Sequence, residues 1–344
     1  MKKLLFITSL FLVLLISGCQ KSEVKEPISK EPDKQVIEEP KKLKTIDPES
    51  TSRPYAVMIN NESFYARPVQ TGLQDAYIIY EIIVEGGITR YMALFKDAVT
   101  EKIGTVRSAR HYFLDYAMEN DAIYIHHGKS PQAQSDFKTL KVDHFEIYDP
   151  ATGWRDKDLT TANGKKYPTE HTLYTKISML DSGTQKFRHE TNNGLLLKYS
   201  IDEIDTSKLD NSIVAKKVDI KYSNSTTTNY VYDEAKGYYL RSVNGKAHTD
   251  HDSKEQYHFK NIIVYDVKNY TLQDTENKGR QGIENIGTGT GYFISNGNAV
   301  KIKWEKKSRE SKTKYTYLDG TELKVNDGNT FIQIYPTAGK LTIE

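Results

Sequence analysis

The N-terminal apolar run places the strongest constraint on which residues of this chain can fold, because the run itself is predicted to take no part in the folded protein. Lys2 and Lys3 precede residues 4–16, which are apolar at all but two positions. A run of this length is too short to span a bilayer core of about 30 Å, and it has the layout of a signal peptide. We therefore assign residues 1–18 to a signal peptide.

The run ends in Ile16-Ser17-Gly18-Cys19, which resembles the lipobox of bacterial lipoproteins. The resemblance implies that the Cys19 thiol carries a lipid and holds the protein at the extracytoplasmic face of the cell membrane. The chain has one cysteine, so Cys19 has no disulfide partner in an oxidising compartment. The alternative is an ordinary secreted protein with a chance cysteine.

Residues 19–50 are predicted to be a disordered tether. Residues 20–50 hold seven Lys, eight acidic residues and four Pro. Mixed charge and proline cannot bury enough apolar area to offset chain entropy. The folded body must therefore come from the residues that follow.

Composition limits the class of that body. The 344 residues are 37% hydrophobic, with 48 basic and 46 acidic residues, 24 Tyr and 11 Phe. These values exclude a polytopic membrane protein and a disulfide-stapled scaffold, and they argue against a nucleic-acid binder. The length predicts two domains.

Residues 51–190 are predicted to form an α/β domain, a mixed sheet with helices, because β-branched runs alternate there with helical segments. The predicted strands are 57–59, 78–84, 88–95, 103–106 and 122–125. The predicted helices are 109–118 and a second one that Ser130 caps, with Pro131 at its first position.

Residues 224–344 are predicted to form a smaller, mostly antiparallel β domain, with residues 191–223 as the boundary. No helical period is visible in this part of the sequence. Hairpin turn signals recur at Asn244-Gly245, Asn296-Gly297, Asp319-Gly320 and Asp327-Gly328.

A predicted hairpin in the first domain brings charged residues together. If Gly86-Gly87 is its two-residue turn, Glu81, Glu85 and Arg90 share one face. Either they form a cross-strand ion pair, or the carboxylates hold the guanidinium in position for a ligand.

A second cluster is the run Arg107-Ser108-Ala109-Arg110-His111. We expect a strand to end at Arg107, Ser108 to cap a helix, and Arg110 and His111 to lie in its first turn. Cations are unfavourable at the positive end of a helix dipole, so the run predicts a bound phosphate or carboxylate. The alternative is an internal ion pair, for which the candidate carboxylates are Glu81, Glu85 and Asp115.

His126 and His127 complete the candidate site. A strand–helix–strand crossover over residues 103–125 would place Arg107 and both histidines at one sheet edge, where the helix capped by Ser130 also starts. An imidazole titrates near neutral pH, so His126 and His127 are the predicted catalytic residues if the protein is an enzyme. Otherwise each ring fixes its loop through a hydrogen bond to a carbonyl.

We expect no metal and no cofactor. Asp250-His251-Asp252 has metal-ligand residue types, but no matching spacing occurs elsewhere. Gly128-Lys129-Ser130 resembles the end of a P-loop, but Ile123 stands where that motif requires glycine.

Several motifs in order resemble the YerB-like lipoproteins of Gram-positive bacteria. The resemblance covers the lipobox and both folded regions, and it implies an N-terminal α/β part and a smaller C-terminal β part of unknown function. The motifs are Arg53-Pro54-Tyr55-Ala56-Val57-Met58-Ile59-Asn60-Asn61, Ala66-Arg67-Pro68, Tyr80-Glu81, Val84-Glu85-Gly86-Gly87-Ile88-Thr89-Arg90, Arg107-Ser108-Ala109-Arg110 and His126-His127-Gly128.

Residues 87–95 and 103–108 are similar, more weakly, to the arginine-bearing strands of the LytR-CpsA-Psr transferases. Those enzymes move lipid-pyrophosphate-linked glycopolymers onto peptidoglycan, but their aspartates are not evident here. We therefore expect an envelope lipoprotein that binds an anionic, phosphate- or carboxylate-bearing wall component or a wall-synthesis protein. The alternative is a phosphotransferase or hydrolase acting on phosphorylated or lipid-linked glycopolymer.

Overall fold

The computed structural model describes residues 41–191 and 193–344. These residues belong to one compact unit that begins at Lys41 and ends at Glu344. None of the helices in this part of the chain is long and apolar enough to cross a membrane. The predicted signal peptide and Cys19 lie outside the described residues.

The fold is rich in strands and its helices are few and short. The helices are α1 Phe113–Glu119, α2 Pro131–Thr139 and α3 Ile177–Gly183. The strands in chain order are β1 Tyr55–Asn60, β2 Ile78–Ile83, β3 Thr89–Phe95, β4 Ile103–Gly104, β5 Ile123–His126, β6 His144–Glu146, β7 Trp154–Arg155, β8 Leu173–Thr175, β9 Lys198–Ser200, β10 Ile213–Val214, β11 Lys217–Lys221, β12 Thr227–Asp233, β13 Tyr238–Val243, β14 Lys246–Ala247, β15 His258–Phe259, β16 Asn261–Val267, β17 Asn269–Thr271, β18 Gln281–Ile283, β19 Gly287–Ser295, β20 Asn298–Lys306, β21 Lys314–Tyr317, β22 Lys324–Asn326, β23 Thr330–Pro336 and β24 Lys340–Ile343.

An eleven-stranded mixed sheet forms the centre of the molecule. Its order is β10-β20-β19-β16-β23-β2-β3-β1-β5-β6, with β21 beside β20. Strand β23 is parallel to both of its neighbours, β2 and β16, and these strands are buried along almost their whole length. Continuous apolar runs are typical of parallel strands covered on both faces. The predicted boundary at 191–223 does not interrupt this sheet, since strands from both sides of it take part.

A six-stranded antiparallel sheet covers one face of the large sheet. Its order is β14-β13-β12-β11-β24, with β15 beside β13. Buried and more exposed residues alternate along β11 and β13, as expected for a sheet with one face in the core. Val218 and Ile220 on β11 share a core with Val264 and Phe331 of the large sheet.

Two of the predicted hairpin turns are confirmed. Asn244-Gly245 joins β13 to β14 and Asn296-Gly297 joins β19 to β20, with positive φ at all four residues. That backbone matches the right-handed twist of the flanking strands. Asp327-Gly328 is different, because it leads from β22, which pairs in parallel with β9, into the large sheet.

The helix that Ser130 was predicted to cap is also confirmed. The Ser130 hydroxyl accepts the amide of Ala133 at 3.1 Å, and Pro131 occupies the first position of α2. The strands predicted at 57–59, 78–84, 88–95 and 122–125 correspond to β1, β2, β3 and β5.

The predicted crossover over 103–125 is wrong. Strand β4 lies in a separate three-stranded sheet, antiparallel to β8, while β5 lies in the large sheet. Helix α1 begins at Phe113, and Ser108 does not cap it. The reason is a long-range pairing: the amides of Ala109 and Ser130 donate to the carbonyls of Gly128 and Ala109, so the segment that was predicted to be helical is extended.

The predicted hairpin register is wrong by one residue. The turn is the three-residue segment Glu85–Gly87, in which both glycines have positive φ. Arg90 therefore pairs with Ile82, and Glu81 pairs with Tyr91. Because cross-strand partners share a face, Glu81 and Arg90 point to opposite sides of the sheet.

The chain that precedes β1 packs on the compact unit. Residues 41–50 were predicted as the end of the tether, yet Ile46 is 5% exposed and contributes to the core. The Asp327 carboxylate accepts the amides of Lys44 at 2.8 Å and Thr45 at 3.0 Å. This part of the predicted tether is therefore fixed.

Candidate functional site

The extended segment after β4 brings the two predicted clusters together. The amide of Arg107 donates to the carbonyl of Met58 on β1, and the amide of His127 donates to the carbonyl of Arg107 at 3.1 Å. Arg107 and Ser108 thus lie beside His127 and Gly128. The two clusters were expected to be close because of a strand–helix–strand crossover, but backbone hydrogen bonds between the two segments bring them together instead.

Glu85 is the acidic member of this cluster. Its two carboxylate oxygens accept Nε and Nη2 of Arg110 at 2.5 and 2.9 Å. Burial alone would raise the pKa of Glu85, but the hydrogen bond and charge of Arg110, together with the charge of Arg90, lower it. Glu85 and Arg110 are therefore an internal ion pair, which was the alternative prediction for these residues.

Arg90 is a buried neighbour of that ion pair. Its Nη1 donates to the carbonyl of Ser108 at 2.7 Å, and its Nη2 is 3.9 Å from Glu85. Its Nε has no hydrogen-bond partner in the described part of the chain. Burial and the nearby charge of Arg110 lower the pKa of Arg90 to about 9, so the guanidinium remains charged at neutral pH.

Arg107 differs from both, because its guanidinium makes no hydrogen bond or ion pair with any described residue. The residue is half-buried. Burial lowers its pKa, and so do the charges of Arg110 and Arg155, while Glu170 and Glu85 act in the opposite direction. Arg107 is therefore the half-buried cation of this surface whose hydrogen-bond donors remain available to an anion.

Three further predicted residues line or support this region. The Ser108 hydroxyl has no hydrogen-bond partner within residues 41–191 and 193–344, and it lies against Gly128, where a Cβ atom would approach it to 2.7 Å. The Ser130 hydroxyl is used by the helix cap. His111 packs edge-on against Tyr112 at 5.1 Å, and burial lowers its pKa to about 4, which keeps the ring neutral.

Both predicted catalytic histidines use both ring nitrogens. In His126, Nδ1 lies 2.9 Å from the Gly128 carbonyl and Nε2 lies 3.1 Å from Nδ1 of His144. In His127, Nδ1 donates to the carbonyl of Ile147 at 2.8 Å, so Nε2 is left to accept from Arg155 at 3.0 Å. The catalytic role of His126 and His127 stays a prediction. All four of their ring nitrogens already lie within hydrogen-bond distance of protein groups.

Glu81 does not belong to the site. Its side chain is fully buried on the opposite face of β2, 2.8 Å from Nη2 of Arg241. The hydroxyls of Thr89 and Thr228 donate to the same carboxylate at 2.7 Å and 3.1 Å. Glu81 therefore connects the two sheets through a buried ion pair. It lies on this face, and not beside Arg90, because the hairpin register differs by one residue from the predicted one.

Sequence reasoning missed Arg155 and the polar end of β1. Arg155 donates to the Thr169 carbonyl as well as to His127, so it ties two loops together. The Asn60 side chain lies 2.9 Å from Nδ1 of His171. The one available signal was the pair Asn60-Asn61 directly after a buried strand, since polar side chains at a strand end often face a site.

The described residues contain no group of three or more His, Asp or Glu side chains placed to hold a metal ion. In the run Asp250-His251-Asp252, the Asp250 carboxylate accepts the amides of Gly72 and Ser253 and the hydroxyl of Tyr257. That carboxylate therefore fixes its own loop against the loop before β2.

Two family models match this chain. One, described as "Protein of unknown function (DUF3048) N-terminal domain", covers residues 43–190, and its C-terminal counterpart covers residues 218–332. The protein named "Putative lipoprotein YerB" from Bacillus subtilis (strain 168) is 29% identical over 346 residues, which is 98% of this chain and 96% of that protein. The crystal structure of YerB protein from Bacillus subtilis superposes with a TM-score of 0.70 at 27% identity, covering 85% of this chain and 94% of that one.

Proposed function

The chain belongs to the DUF3048 family of unknown function, and from this premise we propose that it is a lipid-anchored protein of the cell envelope that binds an anionic wall component. Two observations support the anchor: the run Ile16-Ser17-Gly18-Cys19 and the name of the Bacillus subtilis relative, which is that of a lipoprotein. The ligand would carry phosphate or carboxylate groups.

The observation that carries the proposal is the free guanidinium of Arg107. It is half-buried and lies among Arg90, Arg110 and Arg155. Two carboxylates act on its charge, Glu170 and Glu85, and Glu85 is already paired with Arg110. The cluster thus has more positive than negative charge. Hydrogen bonds from a guanidinium to an anion are worth roughly 1.5–3 kcal/mol each, and the planar fork suits phosphate and carboxylate.

Binding accounts for these contacts better than catalysis does. A general acid or base must reach the reacting atom within about 3 Å, and the ring nitrogens of His126 and His127 are all within hydrogen-bond distance of protein groups. The Ser108 hydroxyl is free to donate to an anion. No described side chain hydrogen-bonds it as a base would.

The test is calorimetric titration of the full-length protein in detergent with inorganic pyrophosphate at low, fixed ionic strength. Arg107→Ala should weaken binding at least tenfold and shift the melting temperature by less than about 2 °C. Arg188→Ala is the matched control, because Arg188 is a partly exposed arginine that pairs with Asp121 just before the start of β5, while the site lies beyond the end of that strand. Equal affinities of the wild-type protein and Arg107→Ala would overturn the proposal.

A further inference from the structure

We infer that the anion at Arg107 is carried by a glycan, whose sugar rings stack on exposed aromatic side chains beside the arginines. This rests on the proposed function and adds the class of ligand to it. The rings form an aromatic cluster of Phe64, Tyr65 and Tyr167, with Tyr148 on the other side of the site.

The aromatic cluster is built and held in place although it faces solvent. The Phe64 and Tyr65 rings meet edge-to-face at 4.7 Å, and Tyr65 meets Tyr167 in the same way at 5.6 Å. The Glu62 carboxylate accepts the amides of Phe64 and Tyr65 at 2.8 and 2.6 Å, which fixes the turn that presents them. Phe64 is nevertheless 65% exposed. Because Phe64 is part of a contiguous group of three aromatic rings and not a single exposed side chain, this patch marks a surface for a partner.

A chain of contacts connects the aromatic cluster to Arg107. The Tyr65 ring stacks on His171 at 5.5 Å, and Nδ1 of His171 lies 2.9 Å from the Asn60 side chain. Asn60 ends β1, and its amide donates to the carbonyl of Thr105, two residues before Arg107. Burial lowers the pKa of His171, and the charge of Arg107 lowers it further, as expected for neighbouring groups.

A second exposed ring stands on the histidine side. Tyr148 is 54% exposed and meets the ring of His127 edge-on at 5.9 Å. His127 in turn accepts from Arg155, whose other nitrogen reaches the Thr169 carbonyl in the turn that carries His171. Arg155 therefore connects the turn on which Tyr65 stacks with the histidine on which Tyr148 packs.

This arrangement fits a glycan with acidic groups. A sugar ring offers an apolar C–H face that packs on an aromatic ring, and an acidic substituent would reach the guanidinium groups. In the loops that carry the site, residues 61–77, 127–130 and 147–172, the large hydrophobic side chains that are exposed are Phe64 and Tyr148. Both are aromatic and neither is aliphatic, which favours the stacking of a sugar ring on this surface over the packing of a protein helix against it.

The experiment compares three probes on the full-length protein: glycosylated poly(glycerol phosphate), inorganic polyphosphate of equal charge, and an oligoglutamate peptide. Phe64→Ala and Tyr148→Ala should each weaken binding of the glycosylated polymer at least fivefold and leave polyphosphate affinity unchanged. Arg107→Ala should weaken binding of both. Tyr270→Ala is the matched control, because Tyr270 is a 48% exposed tyrosine on a separate hairpin.

The outcomes separate the two proposals. If the wild-type protein binds polyphosphate as tightly as the glycosylated polymer and Phe64→Ala changes neither affinity, the glycan inference is overturned and anion binding stands. If oligoglutamate binds as tightly as the glycosylated polymer, the ligand class is likewise overturned. If none of the probes binds, the proposed function is overturned, and the inference with it.

Discussion

Replacing Glu81 with Gln tests how the two sheets are held together. Glu81 on β2 and Arg241 on β13 are both fully buried, and their side chains meet at 2.8 Å. Nη1 of Arg241 lies 2.6 Å from Nδ1 of His248, and the rings of Tyr91 and Phe331 each lie 5.0 Å from its guanidinium carbon. The carboxylate is the group that compensates this buried cation.

The expected cost follows from the loss of that compensation. Glu81→Gln keeps the shape and can still accept from the Thr89 and Thr228 hydroxyls, but it leaves the Arg241 charge unpaired. Breaking a buried ion pair from one side costs about 3–5 kcal/mol, and the remaining aromatic contacts favour the lower end, about 3 kcal/mol. If the free energy of unfolding falls by about 3 kcal/mol for each molar of urea, the urea concentration at the unfolding midpoint should fall by about 1 M.

Urea unfolding followed by both fluorescence and circular dichroism measures this change. Glu81→Leu combined with Arg241→Met should recover most of the lost free energy of unfolding, because an apolar pair often replaces a buried ion pair without loss. Pyrophosphate affinity should be unchanged in Glu81→Gln, since Glu81 lies outside the site. A loss below about 1 kcal/mol would refute this account of the sheet interface.

Two further predictions concern acid stability and anchoring. Burial lowers the pKa of His126 from 6.5 to about 4, so between these values the unfolded chain binds more protons than the folded one. His126 should therefore contribute a loss of up to about 3 kcal/mol of stability as the pH drops from 6.5 to 4, in addition to the loss from the equally shifted His111. His126→Gln should flatten that part of a pH series of urea midpoints, and an unchanged slope would contradict this. Cys19→Ser should move the protein from the membrane fraction to the soluble fraction of cells, and continued membrane association would rule out the lipid anchor.

Local signals predicted the elements of this fold that depend on local chemistry. Strands β1, β2, β3 and β5 are β-branched runs, and α2 begins at a serine cap followed by proline. The hairpin register was missed because a single additional residue in the turn, Glu85, reverses the face of every partner. The helix expected at 109–118 starts later, because residues 107–109 pair with residues 127–130 instead.

The candidate site was predictable only in its charged motifs. Arg107 and His127 are close together as expected, since each sits beside a strand end of the large sheet. Arg155, Phe64 and Tyr167 lie in irregular loops or short strands without periodicity, so no pattern connects them to the arginines. The partner of Glu81 is 160 positions away in the sequence, and no local rule could pair it with Arg241.

The position of β23 has a consequence for how the chain folds while it is being synthesised from the N-terminus. Strands β2 and β16 are separated in the sheet only by residues 330–336, which are synthesised after both of them. Until then the edges of two apolar strands stay open to solvent and to other chains. Premature termination before residue 330 would therefore leave a product that cannot close its central sheet, and the N-terminal half cannot complete that sheet before residues 330–336 have been made.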